Sequence, residues 1–141
     1  MMKDKYSIED VSKMSGLTTR TIRNYLKDGL AHAAKEDGKW VFTSDEFVDM
    51  LSNNYISAAI KAKNNAPIFD FLADEKKKSN SICMVIDRVL SEEETETLIS
   101  TVCSLQAEAD GVEMRLKKDN GNIRIILTGP EAAIKTMYLQ L

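Results

Sequence analysis

Leu17 to Leu30 reads LTTRTIRNYLKDGL, and its order of hydroxyl, apolar, cationic and glycine residues decides how the N-terminal half is built. Thr18 carries an oxygen that can accept from the amides of a first helical turn, and Gly29 can adopt the left-handed conformation that closes a helix. Between them Ile22, Tyr25 and Leu26 recur at the spacing of one helical face. Upstream, Ser7 and Asp10 cap a helix whose inner residues are Ile8, Val11 and Met14, until Gly16 stops it. Downstream, Asp37 and Gly38 lead into a short strand from Lys39 to Phe42. Thr43 and Glu46 then form a capping box for a helix bearing Phe47, Met50 and Leu51. The order is helix, glycine turn, helix, hairpin, helix, which is a helix-turn-helix followed by a wing.

The period changes after the polar run Lys76 to Asn80. Ile82 to Val89 is β-branched, and Ser91 with Glu94 caps a helix carrying Leu98, Ile99, Val102, Cys103 and Leu105. Val112, Met114 and Leu116 alternate with charged residues, Asn120 and Gly121 supply a hairpin turn, and Ile123, Ile125 and Leu127 alternate again. Gly129 and Pro130 open a last helix with Ala133, Ile134, Met137, Tyr138 and Leu141 inward. The fold class is therefore α+β: a winged helix-turn-helix over 1–53, a helical linker over 54–78 interrupted by Pro67, and a βαββα domain over 79–141 with an antiparallel sheet. By alternation Ile82, Met84 and Ile86 face the helices, and Cys83, Val85 and Ile126 sit among Glu113, Arg115, Lys117 and Arg124 on the other face. That second apolar group, and a larger one around the linker (Tyr55, Ile56, Ala59, Ile60, Ile68, Phe69, Phe71, Leu72), are the expected surfaces for a homodimer.

Composition narrows the function. The 141 residues carry a net charge of −3, which excludes a uniformly basic coat, so any nucleic-acid contact must be local. Residues 1–78 hold 13 basic and 12 acidic side chains, and 79–141 hold 6 and 10. Two cysteines, Cys83 and Cys103, in no metal-binding spacing, and one histidine, His32, leave little material for a zinc site or histidine acid/base chemistry. The acidic run Glu92 to Glu96 starts a helix and complements its dipole without forming a metal cage. No phosphate-binding glycine loop or nucleophile elbow is present. No catalytic residue, cofactor or metal ligand is expected. The charged start and the absence of a long apolar run favour a cytoplasmic protein with no membrane contact.

What remains is the outer side of the second helix. Thr18, Thr19, Arg20, Arg23, Asn24 and Lys27 lie away from Ile22 and Leu26, and Arg20, Arg23 and Lys27 form one cationic stripe. Arg and Asn can read guanine and adenine edges in a major groove, and hydroxyls or Lys can hold phosphates. Such a stripe is also common as a plain solvated face. Lys39 and Trp40 sit where a wing would meet the backbone, although Trp40 can equally pack beneath the wing.

The stretch Tyr6 to Leu51, with LTTRTIRNYLKDGL and then GKWVFTSDEF, resembles the winged helix-turn-helix of the MerR and excisionase-like superfamily. The resemblance implies a bacterial DNA-binding protein in which Thr18 caps the recognition helix, the helix enters the major groove, and Lys39 and Trp40 belong to the wing. At Asn24 and Leu26 the chain departs from the MerR regulators, which places it with the wider superfamily. The C-terminal half resembles an incomplete ferredoxin-like or ACT-like fold by topology alone. The leading expectation is a transcriptional regulator acting on double-stranded DNA as a homodimer. Its C-terminal domain would serve dimerisation or the sensing of a small-molecule effector, with the turn at Thr128, Gly129 and Pro130 offering free amides to an anion. Two alternatives stand beside it: an excisionase-like architectural factor, and a protein-interaction adaptor that does not bind DNA.

Overall fold

The computed structural model describes residues 5–108, 111–119 and 121–141. The N-terminal elements are β1 (Lys5–Ser7), α1 (Ile8–Ser15), α2 (Thr19–Lys27), β2 (Ala34–Glu36), β3 (Lys39–Thr43) and α3 (Ser44–Ser52). Local chemistry accounts for most of their ends. Ser7 caps α1 as expected, with Asp10 returning a bond that completes a capping box, and Thr43 and Glu46 make the expected capping box at α3. Strand β1 was not expected. It pairs antiparallel with β3, Tyr6 opposite Phe42, so the small sheet has the order β1, β3, β2. Tyr6 is fully buried, and its ring lies 5.3 Å from that of Phe47.

The chain continues through α4 (Asn54–Asn64) and α5 (Ala66–Ala73), with Pro67 in the first turn of α5 as its ring requires. There follow β4 (Ser81–Val89), α6 (Glu92–Glu108), β5 (Glu113–Asp119), β6 (Asn122–Pro130) and α7 (Glu131–Tyr138). The second sheet is antiparallel with the order β4, β6, β5. Asn120, the first residue of the expected β5–β6 turn, lies outside the described residues; Asp119 pairs with Asn122 across it. Gly129 lies in β6 opposite Ile82, and a Cβ there would come within 2.8 Å of the Gly111 carbonyl oxygen. The close approach of two backbones requires glycine at this point.

The register puts Val85, Ile126 and Arg115 in one cross-strand row, as alternation implied. Coverage of that row differs from the expectation. Ile126 is only 1% exposed, because the N-terminal half reaches over the sheet: α1, α3 and α4 contact β5, and α5 contacts β6. The linker set is reduced for the same reason. Ile56 and Ile60 are buried in the chain's own core, which leaves Tyr55, Phe69 and Leu72 as its strongly exposed members. One continuous core runs from Tyr6 and Ile22 through Ile56 to Leu116 and Ile134. No described helix is long and apolar enough to cross a membrane.

The anion site expected at Thr128, Gly129 and Pro130 is not formed. These residues are strand, paired with Cys83, Ile82 and Ser81, and the amide of Glu131 donates to the Asn80 carbonyl at 3.0 Å. A helix amide already bound to backbone is no longer available to a ligand.

Candidate nucleic-acid interface

Helix α2 is fixed at both ends by its own sequence. The Thr18 hydroxyl oxygen accepts from the amide of Thr21 at 3.1 Å and donates to the Thr21 hydroxyl at 2.9 Å. At the other end the amide of Leu30 donates to the Tyr25 carbonyl at 2.9 Å and that of Gly29 to Leu26 at 3.3 Å. These two bonds make a Schellman closure, which satisfies carbonyls the helix would otherwise leave free. With both ends set, the phase of the helix is fixed by what it buries. Ile22 is fully buried and Tyr25 is 8% exposed. Burial raises the Tyr25 phenol above its ordinary pKa, and the neighbouring Tyr55 adds to the effect. The two rings meet edge to face at 6.2 Å.

That phase places Thr18, Arg20, Arg23, Asn24 and Lys27 in solvent, with Thr19 half-buried. Arg23 Nη1 donates to the Thr19 hydroxyl at 3.3 Å, one turn back along the helix.

The wing is the β2–β3 hairpin. Asp37 and Gly38 at its tip have φ of 52° and 78°, the two left-handed residues that a two-residue turn of matching twist demands. Counting outward from them, Lys35 stands opposite Trp40 and Glu36 opposite Lys39. Trp40 is half-buried against the core, and Lys35 Nζ sits 4.8 Å from the centre of its ring. Lys5 Nζ reaches Glu36 at 3.0 Å across the small sheet.

Helix α2 and the β2–β3 hairpin meet at a cleft. Arg23 lines one side; Lys35, Lys39 and Trp40 line another, and Ser7 and Glu9 close it from the start of α1. Of the residues picked out by sequence, Arg23, Lys39 and Trp40 are thus brought together, whereas the cap Thr18 and Thr19, Arg20, Asn24 and Lys27 of α2 are not part of the cleft lining. Lys35 was missed, although the position of the Asp37–Gly38 turn already set it opposite Trp40. Glu9, Glu36 and Asp37 share the cleft, so its charge is mixed, whereas the charged residues of α2, Arg20, Arg23 and Lys27, are all cationic.

Comparison with known proteins agrees with this part of the chain. A family model described as a helix-turn-helix domain matches residues 6–55, which takes in β1 through α3 and the beginning of α4. Neither the curated proteins nor the solved structures compared with the chain include a significant match. Residues 6–55 form a helix-turn-helix domain with α2 as its second helix, carried on a mixed helix and sheet protein.

Proposed function

We propose that this protein is a sequence-specific DNA-binding transcriptional regulator of the MerR-like superfamily, with α2 in the major groove and the β2–β3 wing against the flanking backbone. The observation that supports it most is the division of α2. Ile22 and Tyr25 anchor the helix in the core, while Arg20, Arg23, Asn24 and Lys27 all stand in solvent on the other side. A helix held rigidly by its buried side presents its outer side chains at fixed spacing, which base-edge readout requires. Arg20, Arg23 and Asn24 are assigned to base edges; Thr18, Thr19, Lys27, Lys35 and Lys39 are assigned to phosphates, and Trp40 supports the wing. The C-terminal half is assigned to holding two copies together, since a single winged unit makes few contacts and two of them on a palindrome make twice as many.

Selection of bound duplexes from a random pool tests this directly. The expected result is one enriched motif whose binding falls steeply with salt, and whose enrichment is lost in Arg20→Ala and Arg23→Ala variants that still fold. Failure to retain any duplex at low salt would reject DNA binding and favour the adaptor.

A further inference from the structure

The three strands of the C-terminal sheet are not equally covered. β5 is flanked by α1, α3 and α4, and β6 lies between its neighbours. Along the outer side of β4 no strand is paired among the described residues. Burial follows that order. On the core face Met114, Leu116, Ile123, Ile125 and Leu127 are at most 1% exposed, but Ile82, Met84 and Ile86 of β4 are only half-buried. On the opposite face Val85 and Val89 are exposed. Arg88, which shares the core face with Ile86, donates through Nη1 to the Leu141 carbonyl at 2.6 Å. A nine-residue edge strand, SICMVIDRV, with no proline or lysine to blunt it, is a template for a further strand.

We propose that a second copy of this chain pairs with that edge, β4 against β4 and antiparallel, so that two three-stranded sheets become one sheet of six. This gives the dimerisation part of the proposed function its surface and rests on that part, not on DNA binding. Self-pairing fits the strand. A two-fold axis normal to the sheet through Val85 lets every residue of Ser81–Val89 find a partner and keeps each face on its own side. Val85 of one copy then opposes Val85 of the other, and Met84 opposes Ile86.

Charge selects the direction. Lys76, Lys77 and Lys78 stand just before β4, and Glu92, Glu93 and Glu94 just after it. Antiparallel pairing carries the basic run of each copy to the acidic run of the other at both ends. Parallel pairing would set lysine beside lysine. Lys77 is engaged locally by the Phe71 and Asp74 carbonyls, and Glu94 by the amide of Ser91, but Lys76, Lys78, Glu92 and Glu93 are exposed at the strand ends. Phe69 and Leu72 on α5 offer exposed apolar area but no unpaired strand edge, which favours β4 as the axis.

Cysteine cross-linking tests the register, using the full chain at micromolar concentration without DNA, with Cys83→Ser and the buried Cys103 retained. Mild oxidation should convert the Val85→Cys variant to a covalent dimer, because that position lies on the axis. It should leave Val89→Cys uncoupled, because Val89 opposes Ser81 even though it is the more exposed of the two. Sedimentation equilibrium of the unmodified chain should show a dimer, weakened at least tenfold by Lys76→Glu with Lys78→Glu and restored when Glu92→Lys and Glu93→Lys are added. A monomeric chain, cross-linking in the reverse order, or a dimer that cross-links at neither position would overturn the proposal. Loss of duplex binding alone would count against the recognition helix and leave the β4 pairing standing.

Discussion

Ile22 and Arg23 are adjacent in sequence and opposite in role, so truncating each to alanine separates the two properties of α2. Ile22 has no exposed surface, and its truncation removes buried carbon atoms from a packed core. The expected cost is about 2–5 kcal/mol of folding stability, a large part of what a domain of this size possesses. Arg23 stands in solvent, and its local bond to the Thr19 hydroxyl is long, at 3.3 Å. Its truncation should change stability by no more than about 0.5 kcal/mol. If Arg23 reads a base edge, affinity for the selected duplex should fall by about 1–3 kcal/mol, roughly 5- to 150-fold, with the salt slope unchanged. If it holds a phosphate, binding should weaken across all sequences and the slope of log K against log salt should shrink by about 1. Urea denaturation followed by the fluorescence of Trp40, the single tryptophan, gives the stability, and duplex anisotropy at several salt concentrations gives the binding. An Ile22→Ala variant as stable as the parent would mean that the helix is rotated from its described phase. An Arg23→Ala variant with unaltered affinity and slope would remove this residue from the interface.

Three further outcomes are expected. Thr18→Ala removes the cap of α2 and should cost about 1 kcal/mol by chemical denaturation, with a larger loss of duplex affinity than of stability if the hydroxyl also touches a phosphate. Gly129→Ala forces a Cβ to within 2.8 Å of the Gly111 carbonyl oxygen and should destabilise by about 1–3 kcal/mol; an unchanged melting temperature would show that the two backbones separate freely. The pKa of Glu96 is raised from its ordinary value by its hydrogen bond with Asp45, by burial, and by the charges of Asp45, Glu92 and Glu93. A carboxyl whose folded pKa is raised contributes stability below its unfolded pKa and loses it as pH rises through the folded value. Glu96→Gln should therefore raise the melting temperature at pH 7, and the gain should vanish as the pH falls below about 4.

The elements that could be read from sequence are those fixed by neighbours within a turn of helix. The capping pairs Ser7–Asp10, Thr43–Glu46 and Ser91–Glu94 each bond within three residues, and all three form as expected. The outer stripe of α2 was legible for the same reason, since Ile22 and Tyr25 fix its phase. Strand β1 was not, because three residues, KYS, carry no period and become a strand only by pairing with Thr43, Phe42 and Val41. Alternation placed Ile126 and Arg115 on the correct face, but nothing local says which other element will cover that face. The same gap produced the mistaken anion site: Gly129–Pro130 does open a helix, α7 from Glu131, but Ser81 and Ile82, nearly fifty residues earlier, pair with these two residues and keep them in β6 up to the helix start.

β5 is the wall that the two halves share. Arg115 on this strand donates through Nη1 to the Lys13 carbonyl at 2.9 Å and through Nη2 to Glu113 at 2.8 Å. The first bond places a cation at the C-terminal end of α1, where the helix dipole is negative. Its guanidinium also lies against Gly16, the pivot between α1 and α2, where a Cβ would stand 3.3 Å from Nε and 3.2 Å from the Lys63 Cβ. Farther along, the Lys118 carbonyl accepts from Ser57 Oγ at 3.2 Å, and Lys118 Nζ donates to Ser52 Oγ at 2.7 Å. These bonds, with the buried contacts between them, tie the glycine turn of the helix-turn-helix to the sheet. An α2 held in this way takes its orientation from the sheet and not from a linker. If two sheets join through β4, five strand spacings of about 4.8 Å set the two β5 strands roughly 24 Å apart. The winged units lie beyond them on fixed mounts. A palindrome recovered from random duplexes should then show half-sites at one spacing, and a recovered set with freely varying spacing would mean that β5 does not hold the winged unit as these bonds imply.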